Sequence, residues 1–274
     1  MPIACPITVR NLSREEFDER DAVVMRCAYA SQNALGRLCD ERVYENDLAL
    51  RLRAEGFTNV HTQIPVTLTH EGFQKEYRLD LLADDALYEL KVASALVPQH
   101  DAQVLHYAML AAVSHGKLLN FRPSRVQGRL RVNAISPEVR RQLVWDDSAW
   151  HAQSPRCEFL KAHVRSLLMD WGAFLECRAY EEALIHHCGG EAACVRRVPI
   201  VREVVELGSH SLDCHEADLC FVVTAFTTDL AAQRSHLQRL LNLTGMRAMQ
   251  WVNLSHGTVQ FLTLHGGKRV GANE

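Results

Sequence analysis

The stretch "YRLDLLADDALYELK" at residues 77–91 places five leucines and four acids in fifteen positions. Apolar and polar residues alternate on either side of "ADD" (83–85), the pattern of two strands joined by a tight turn. Residues two apart on a strand share a face, so Glu89 and Lys91 project together while Leu90 turns to the opposite, core-facing side. The turn is short enough to bring Asp80, on the neighbouring strand, beside Glu89. Burying an ionised carboxylate is expensive unless something pairs with it or coordinates to it. Two converging carboxylates with room for water suit a hard divalent cation, Mg2+ or Mn2+. A lysine beside them can position a water and neutralise charge building on a phosphoryl oxygen. The same residues also fit a cross-strand ion-pair lattice on a wet sheet face, a common and weak arrangement.

Around this hairpin the pattern predicts a helix starting near Ser13, which with Glu16 makes an S-x-x-E capping box. A second helix is expected from Glu41 to Ala54, stopping at Gly56. Strands over 60–69, 75–83 and 87–93 follow, then a helix over about 98–114 with Pro98 in its first turn, and strands at "KLLNF" (117–121) and "RLRVNAI" (129–135). Helices around a mixed sheet make an α/β sandwich.

The plan occurs twice. "LGRLCDERVYE" (35–45) aligns without a gap on "WGAFLECRAYE" (171–181), sharing Gly36/Gly172, Arg42/Arg178, Tyr44/Tyr180 and Glu45/Glu181. "QIPV" (63–66), "YRLDLL" (77–82), "AQVLHY" (102–107) and "LLNF" (118–121) are answered in order by "RVPI" (197–200), "HEADLC" (215–220), "LQRLLN" (237–242) and "WVNL" (251–254). The expectation is two like domains, residues 1–145 and 157–274, joined by the polar segment 146–156. Such a pair forms an internal pseudo-dimer, compatible with a monomeric chain. The second copy keeps Glu181, Asp218 and Gln238, but by length Val223 stands for Glu89, Ala225 for Lys91 and Asn242 for Tyr107. Catalysis is not expected there. Asn120 recurs as Asn253, which points to a structural hydrogen bond.

Composition excludes some classes. With 274 residues, 47% hydrophobic and 23% charged, the chain has the size of two modest domains, and its net charge of −3 does not announce a nucleic-acid binder. Between Lys117 and Arg141, however, seven basic residues meet one acid, Glu138. That run is either a solvated strip or a phosphate-contacting edge. Residues 1–20 lack the apolar core of a signal peptide and no run approaches a membrane span, so a cytoplasmic, soluble protein without a membrane partner is expected. The nine cysteines form no C-x-x-C pair, as in a reducing compartment. His186, His187, Cys188, Cys194 and "DCH" (213–215) could gather zinc, although the spacing matches no standard module. His100 and His106 read as surface or cap residues.

Asp80 followed by Glu89-Leu90-Lys91 resembles the D…(D/E)-x-K signature of the PD-(D/E)XK nuclease superfamily. More narrowly, residues 13–125 resemble its GxxExxY branch, through "LGRLCDERVYE", "YRLDLL", "YELK" (88–91), "QHDAQVLHY" (99–107) and "LLNF". Leu38 stands where that motif has its first glycine, while Glu41 and Tyr44 are kept. The resemblance implies tandem restriction-endonuclease-like sandwiches, each a mixed central sheet flanked by helices. It implies a metal-dependent nuclease hydrolysing nucleic-acid phosphodiester bonds, with Mg2+ or Mn2+ as cofactor; DNA is expected ahead of RNA as the partner, a choice the residues leave open. Asp80, Glu89 and the Leu90 carbonyl would bind the metal, and Lys91 would hold the attacking water or the scissile phosphate. Glu45 would add an outer carboxylate, Gln103 would orient water or phosphate, and Tyr107 would line the cleft. Lys117, Arg122, Arg125, Arg129 and Arg131 would contact nucleic acid. The alternative is a non-catalytic nucleic-acid- or protein-binding scaffold that retains the nuclease fold.

Overall fold

The computed structural model describes residues 2–267. The chain divides into two compact units, Met1–Thr69 with Gln74–Val139, and His70–Phe73 with Arg140–Glu274.

In the first unit the elements are β1 (Ile3–Ala4), α1 (Arg14–Leu35), α2 (Glu41–Ala54), β2 (Val60–His70), β3 (Phe73–Ala83), β4 (Ala86–Lys91), α3 (Pro98–Leu110), β5 (His115–Asn120) and β6 (Gln127–Val132). Ser13 caps α1 as expected, its Oγ accepting from the Glu16 N–H (3.2 Å) while the Glu16 carboxylate accepts from the Ser13 N–H (2.8 Å). Helix α3 ends four residues before the expected 114, because Ala112 takes a left-handed φ of 55° and the chain turns into β5.

The strands lie in the order β1-β2-β3-β4-β5-β6. β4 and β5, bridged by α3, run parallel, whereas β3/β4 and β5/β6 are antiparallel. Phe17 and Val24 of α1 and Tyr44 and Leu48 of α2 pack on Leu81, Tyr88, Leu90, Leu119 and Phe121 of the sheet. Leu90 therefore faces the core, as its place in the strand period requires. The other face carries α3 closely: a Cβ on Gly116 would meet Val104 Cγ2 at 3.0 Å.

The second unit holds β7 (Val144–Ala149), α4 (Pro155–Trp171), α5 (Cys177–His187), α6 (Glu191–Cys194), β8 (Val195–Arg202), β9 (Val205–Cys214), β10 (Leu219–Thr224), α7 (Leu230–Thr244), β11 (Ala248–Ser255) and β12 (Thr258–His265). Its sheet runs β7-β12-β11-β10-β9-β8, with β10 and β11 parallel and bridged by α7. Segment 146–156 is not only a connector, since Val144–Ala149 pairs in parallel with β12. Both units are six-stranded mixed sheets flanked by helices, as expected of tandem restriction-endonuclease-like sandwiches. Five strands follow one order in each, while the sixth is added at opposite ends, β1 beside β2 and β7 beside β12.

Fine geometry recurs between the units. Tyr44 Oη donates to the Gly36 carbonyl (2.7 Å) and accepts from the Cys39 N–H; Tyr180 Oη does the same with Gly172 (2.6 Å) and Leu175. Asn120 clamps Ala93 by accepting from its N–H (3.0 Å) and donating to its carbonyl (2.8 Å). Asn253 clamps Phe226 in the same way (2.8 and 3.0 Å). Both asparagines thus make the structural bonds expected of them.

Candidate active site

The β3–β4 turn uses Asp84 and Asp85, both at positive φ (44° and 73°), as a two-residue type I′ hairpin requires. The Asp84 carboxylate accepts from the N–H groups of Thr58 and Asn59, and the Asp85 carboxylate from the Arg10 N–H. Two of the hairpin's four acids therefore serve the turn.

The other two face one another further along. The last backbone pair of the ladder is Leu81↔Tyr88; beyond it the Leu90 N–H donates to the Asp80 carboxylate at 2.9 Å instead of to a carbonyl. Glu89, opposite Asp80 by the same register, is 1% exposed. One of its oxygens accepts from Lys91 Nζ at 2.6 Å, and the other is buried with no hydrogen-bond partner. Burial first, and the Asp80 charge second, push the Glu89 carboxyl up to about 8 against the pull of Lys91. Burial tends to lower Lys91, but Glu89, Glu41 and Asp80 outweigh it and hold the ammonium above its ordinary range.

Glu45, on the buried side of α2, pairs with Arg42 and accepts from the side-chain amide of Gln63 at 2.6 Å. The same NH2 group reaches Asp80 Oδ1 at 3.3 Å. Gln63 thus spans two carboxylates where a cation could link them. It does so from a left-handed conformation (φ 53°) inside β2, a strained choice for a residue with a side chain. Burial raises Glu45 as well, countered by Gln63 and Arg42. From α3, Gln103 Nε2 donates to Tyr107 Oη at 3.1 Å. Burial pushes the Tyr107 hydroxyl up, and Glu89 and Asp80 add to the shift.

Of the expected site, Glu45, Asp80, Glu89 and Lys91 form one connected cluster, with Tyr107 within its electrostatic reach and Gln103 bonded to Tyr107. The donor set fits a divalent cation: the carboxylates are the oxygen ligands that Mg2+ and Mn2+ take, and an orphaned, buried Glu89 oxygen is left to be satisfied. Gln63 and Glu41, whose carboxylate lies 4.0 Å from Lys91 Nζ, were not singled out as site residues in the sequence. "QIPV" was visible as a repeated block, but nothing in those letters announces a positive φ. His106 is buried against Tyr77, not on the surface, while His100 accepts from the Val97 N–H at the start of α3.

The basic strip divides. Lys117 pairs with Asp21, and Arg129 and Arg131 share Asp101, whereas Arg122 and Arg125 are exposed just past the end of β5.

In the second unit the parallel strands pair Thr224↔Asn253, as β4 and β5 pair Lys91↔Asn120. Val222 and Thr224, not Val223 and Ala225, therefore hold the positions of Glu89 and Lys91. Asp218 is no counterpart of Asp80: it lies outside β9, in an ion pair with Arg247 at 2.7 Å. The Val223 N–H donates to Glu181 at 3.3 Å, so this carboxylate occupies the kind of amide that Asp80 holds in the first unit. Gln238 donates to Asn242, in the manner of Gln103 and Tyr107.

The zinc grouping considered from sequence does not assemble. Cys188 and Cys194 are hydrogen-bonded through the Cys188 carbonyl, Cys214 donates to the Leu212 carbonyl, and His215 contacts Cys157. Burial pushes the thiols of Cys188 and Cys214 up to about 12 and about 11. The nine cysteines are free. Among the described residues no helix is long and apolar enough to cross a membrane.

Residues 18–132 match the family model of the PD-(D/E)XK nuclease superfamily, a span that contains Glu45, Asp80, Glu89, Lys91, Gln103 and Tyr107. No curated protein and no solved structure matches the chain.

Proposed function

We propose that the chain is a divalent-metal-dependent nuclease of the GxxExxY branch, with its active centre in residues 1–145 and a degenerate, inactive copy in residues 157–274. The observation that carries this reading is Glu89: a buried carboxylate with one oxygen on Lys91, the other unpartnered, and Asp80 opposite. Asp80 and Glu89 would hold Mg2+ or Mn2+, with the Leu90 carbonyl as a third ligand and Glu45 as an outer carboxylate. A bound cation supplies Lewis-acid polarisation of a phosphoryl oxygen and a lowered pKa for water. Lys91 Nζ holds the attacking water or the scissile phosphate and offsets charge that builds on it. Gln103, braced by Tyr107, orients water or phosphate from α3. Arg122 and Arg125 meet the backbone of a nucleic acid, DNA in the first instance.

The second copy is inferred from the shared strand order, the paired tyrosine–glycine bonds and the paired asparagine clamps. Apolar Val222 and uncharged Thr224 at the positions of Glu89 and Lys91 support its inactivity. A non-catalytic scaffold is the second reading, favoured by one observation: Lys117, Arg129 and Arg131 are committed to internal ion pairs.

The test is cleavage of labelled single- and double-stranded DNA and RNA by the full chain in Mg2+, Mn2+ and EDTA, beside Asp80→Ala. Metal-dependent cutting lost in the variant is expected and identifies the substrate. A folded, metal-binding wild type that cuts none of the four supports the scaffold.

A further inference from the structure

We infer that His70, Glu71 and His187 form a second metal centre, built for a zinc-class cation and separate in chemistry from the carboxylate site. All three belong to the second unit, which takes in the β2–β3 turn, His70–Phe73. The inference is independent of the nuclease reading.

Their potential ligand atoms lie within 4.8 Å of one another, the only such group of three among the described residues. The His70 side chain is 1% exposed and its Nε2 is buried without a hydrogen-bond partner, as is His187 Nε2. Two buried imidazole nitrogens without partners, on histidines grouped with a carboxylate, are costly unless something satisfies them. The opposite ring nitrogen of His70 is fixed: Nδ1–H donates to Asp170 Oδ2 at 2.7 Å, which leaves the Nε2 lone pair directed at the cluster. This carboxylate–histidine pairing is the outer support that metal-bound histidines use. Glu71 and Gly72, at φ 42° and 90°, form a two-residue turn that seats the Glu71 carboxylate 3.8 Å from His70 Nε2 and 3.8 Å from His163 Nε2.

Ligand atoms around a tetrahedral zinc stand about 3.3 Å apart, given bond lengths of 2.0–2.1 Å. Closing from 4.8 Å to that spacing needs movement of up to about 1.5 Å, part of which the exposed Glu71 can supply. His163, whose ring centroid lies 4.8 Å from that of His187, is the candidate fourth ligand. His187 also lines a cleft of about 570 Å³ with Pro155, Arg156, Phe159 and His215. Two nitrogens and one oxygen select zinc or a neighbouring transition ion over magnesium.

The chelator-stripped chain, with excess Mg2+ present to occupy the carboxylate site, should bind one equivalent of Zn2+ in calorimetry, and Co2+ should give the intense visible bands of a tetrahedral nitrogen–oxygen site. His187→Gln and Glu71→Gln should each weaken Zn2+ binding at least tenfold, and Asp170→Asn about tenfold. Glu71 lies on an exposed turn, so its variant tests the site even if a buried histidine variant fails to fold. Absence of Zn2+ binding by the stripped wild type, or binding undiminished in Glu71→Gln and His187→Gln, overturns the inference.

Discussion

Glu89 is held at 1% exposure with one oxygen on Lys91 and nothing on the other, beside a second carboxylate. Its pKa, raised from 4.5 to about 8, has a definite consequence for stability without metal. The folded chain keeps this proton over the interval where the unfolded chain has lost it, so stability is greatest below 4.5 and falls as pH rises through 8. Glu89→Gln should abolish this decline and stabilise the metal-free protein at pH 8 by ~3–5 kcal/mol, measured as denaturant midpoints across pH. Metal reverses the requirement, because a ligating carboxylate must be ionised. Mg2+ affinity by calorimetry should therefore climb with pH, about tenfold per unit below 8, and level off above it. Asp80, Glu89 and Lys91 were legible because period-two alternation alone puts them on one face. The bridge from Gln63 was not, because it depends on a strained φ that no residue type at position 63 encodes.

At the scale of elements, the parallel strand pairs carry matching side-chain clamps. Asn120 and Asn253 each tie the segment leaving one strand to the neighbouring strand with two hydrogen bonds. Asn→Ala at either position leaves part-buried backbone groups unsatisfied and should cost ~1–3 kcal/mol in denaturant unfolding. At Asn120 the loss should also reduce activity, because Lys91 is its register partner. Helix α1, its capping box and the strands flanking "ADD" could be read directly, since capping and turn chemistry are local. Matching the second unit to the first by length differs by one residue, at Val223 and Ala225, from the match that strand register gives. A one-residue slip changes the face of every side chain on a strand. Only the Thr224↔Asn253 register reveals it, and that pairing is set between strands joined through α7.

For the whole molecule, the chain carries two sandwiches of like strand order, and only the first brings together the Asp80, Glu89 and Lys91 proposed as catalytic. Composition and order of motifs made this visible, whereas the extra strand at opposite sheet ends was not, since edge pairing joins segments distant in sequence. The basic strip was only half legible, because an ion pair such as Arg131–Asp101 spans thirty residues. Arg122→Ala with Arg125→Ala should weaken nucleic-acid binding and lower its salt dependence by about one to two counterions, with little effect on specificity. The most direct measurement is single-turnover cleavage of the preferred substrate in Mg2+ by two variants of the full chain, Lys91→Ala and Thr224→Ala. The expectation is a loss of at least about a hundredfold for Lys91→Ala, the scale of a lost electrostatic partner, and a change within about twofold for Thr224→Ala. Equal rates for the two variants would contradict the assignment of catalysis to Lys91.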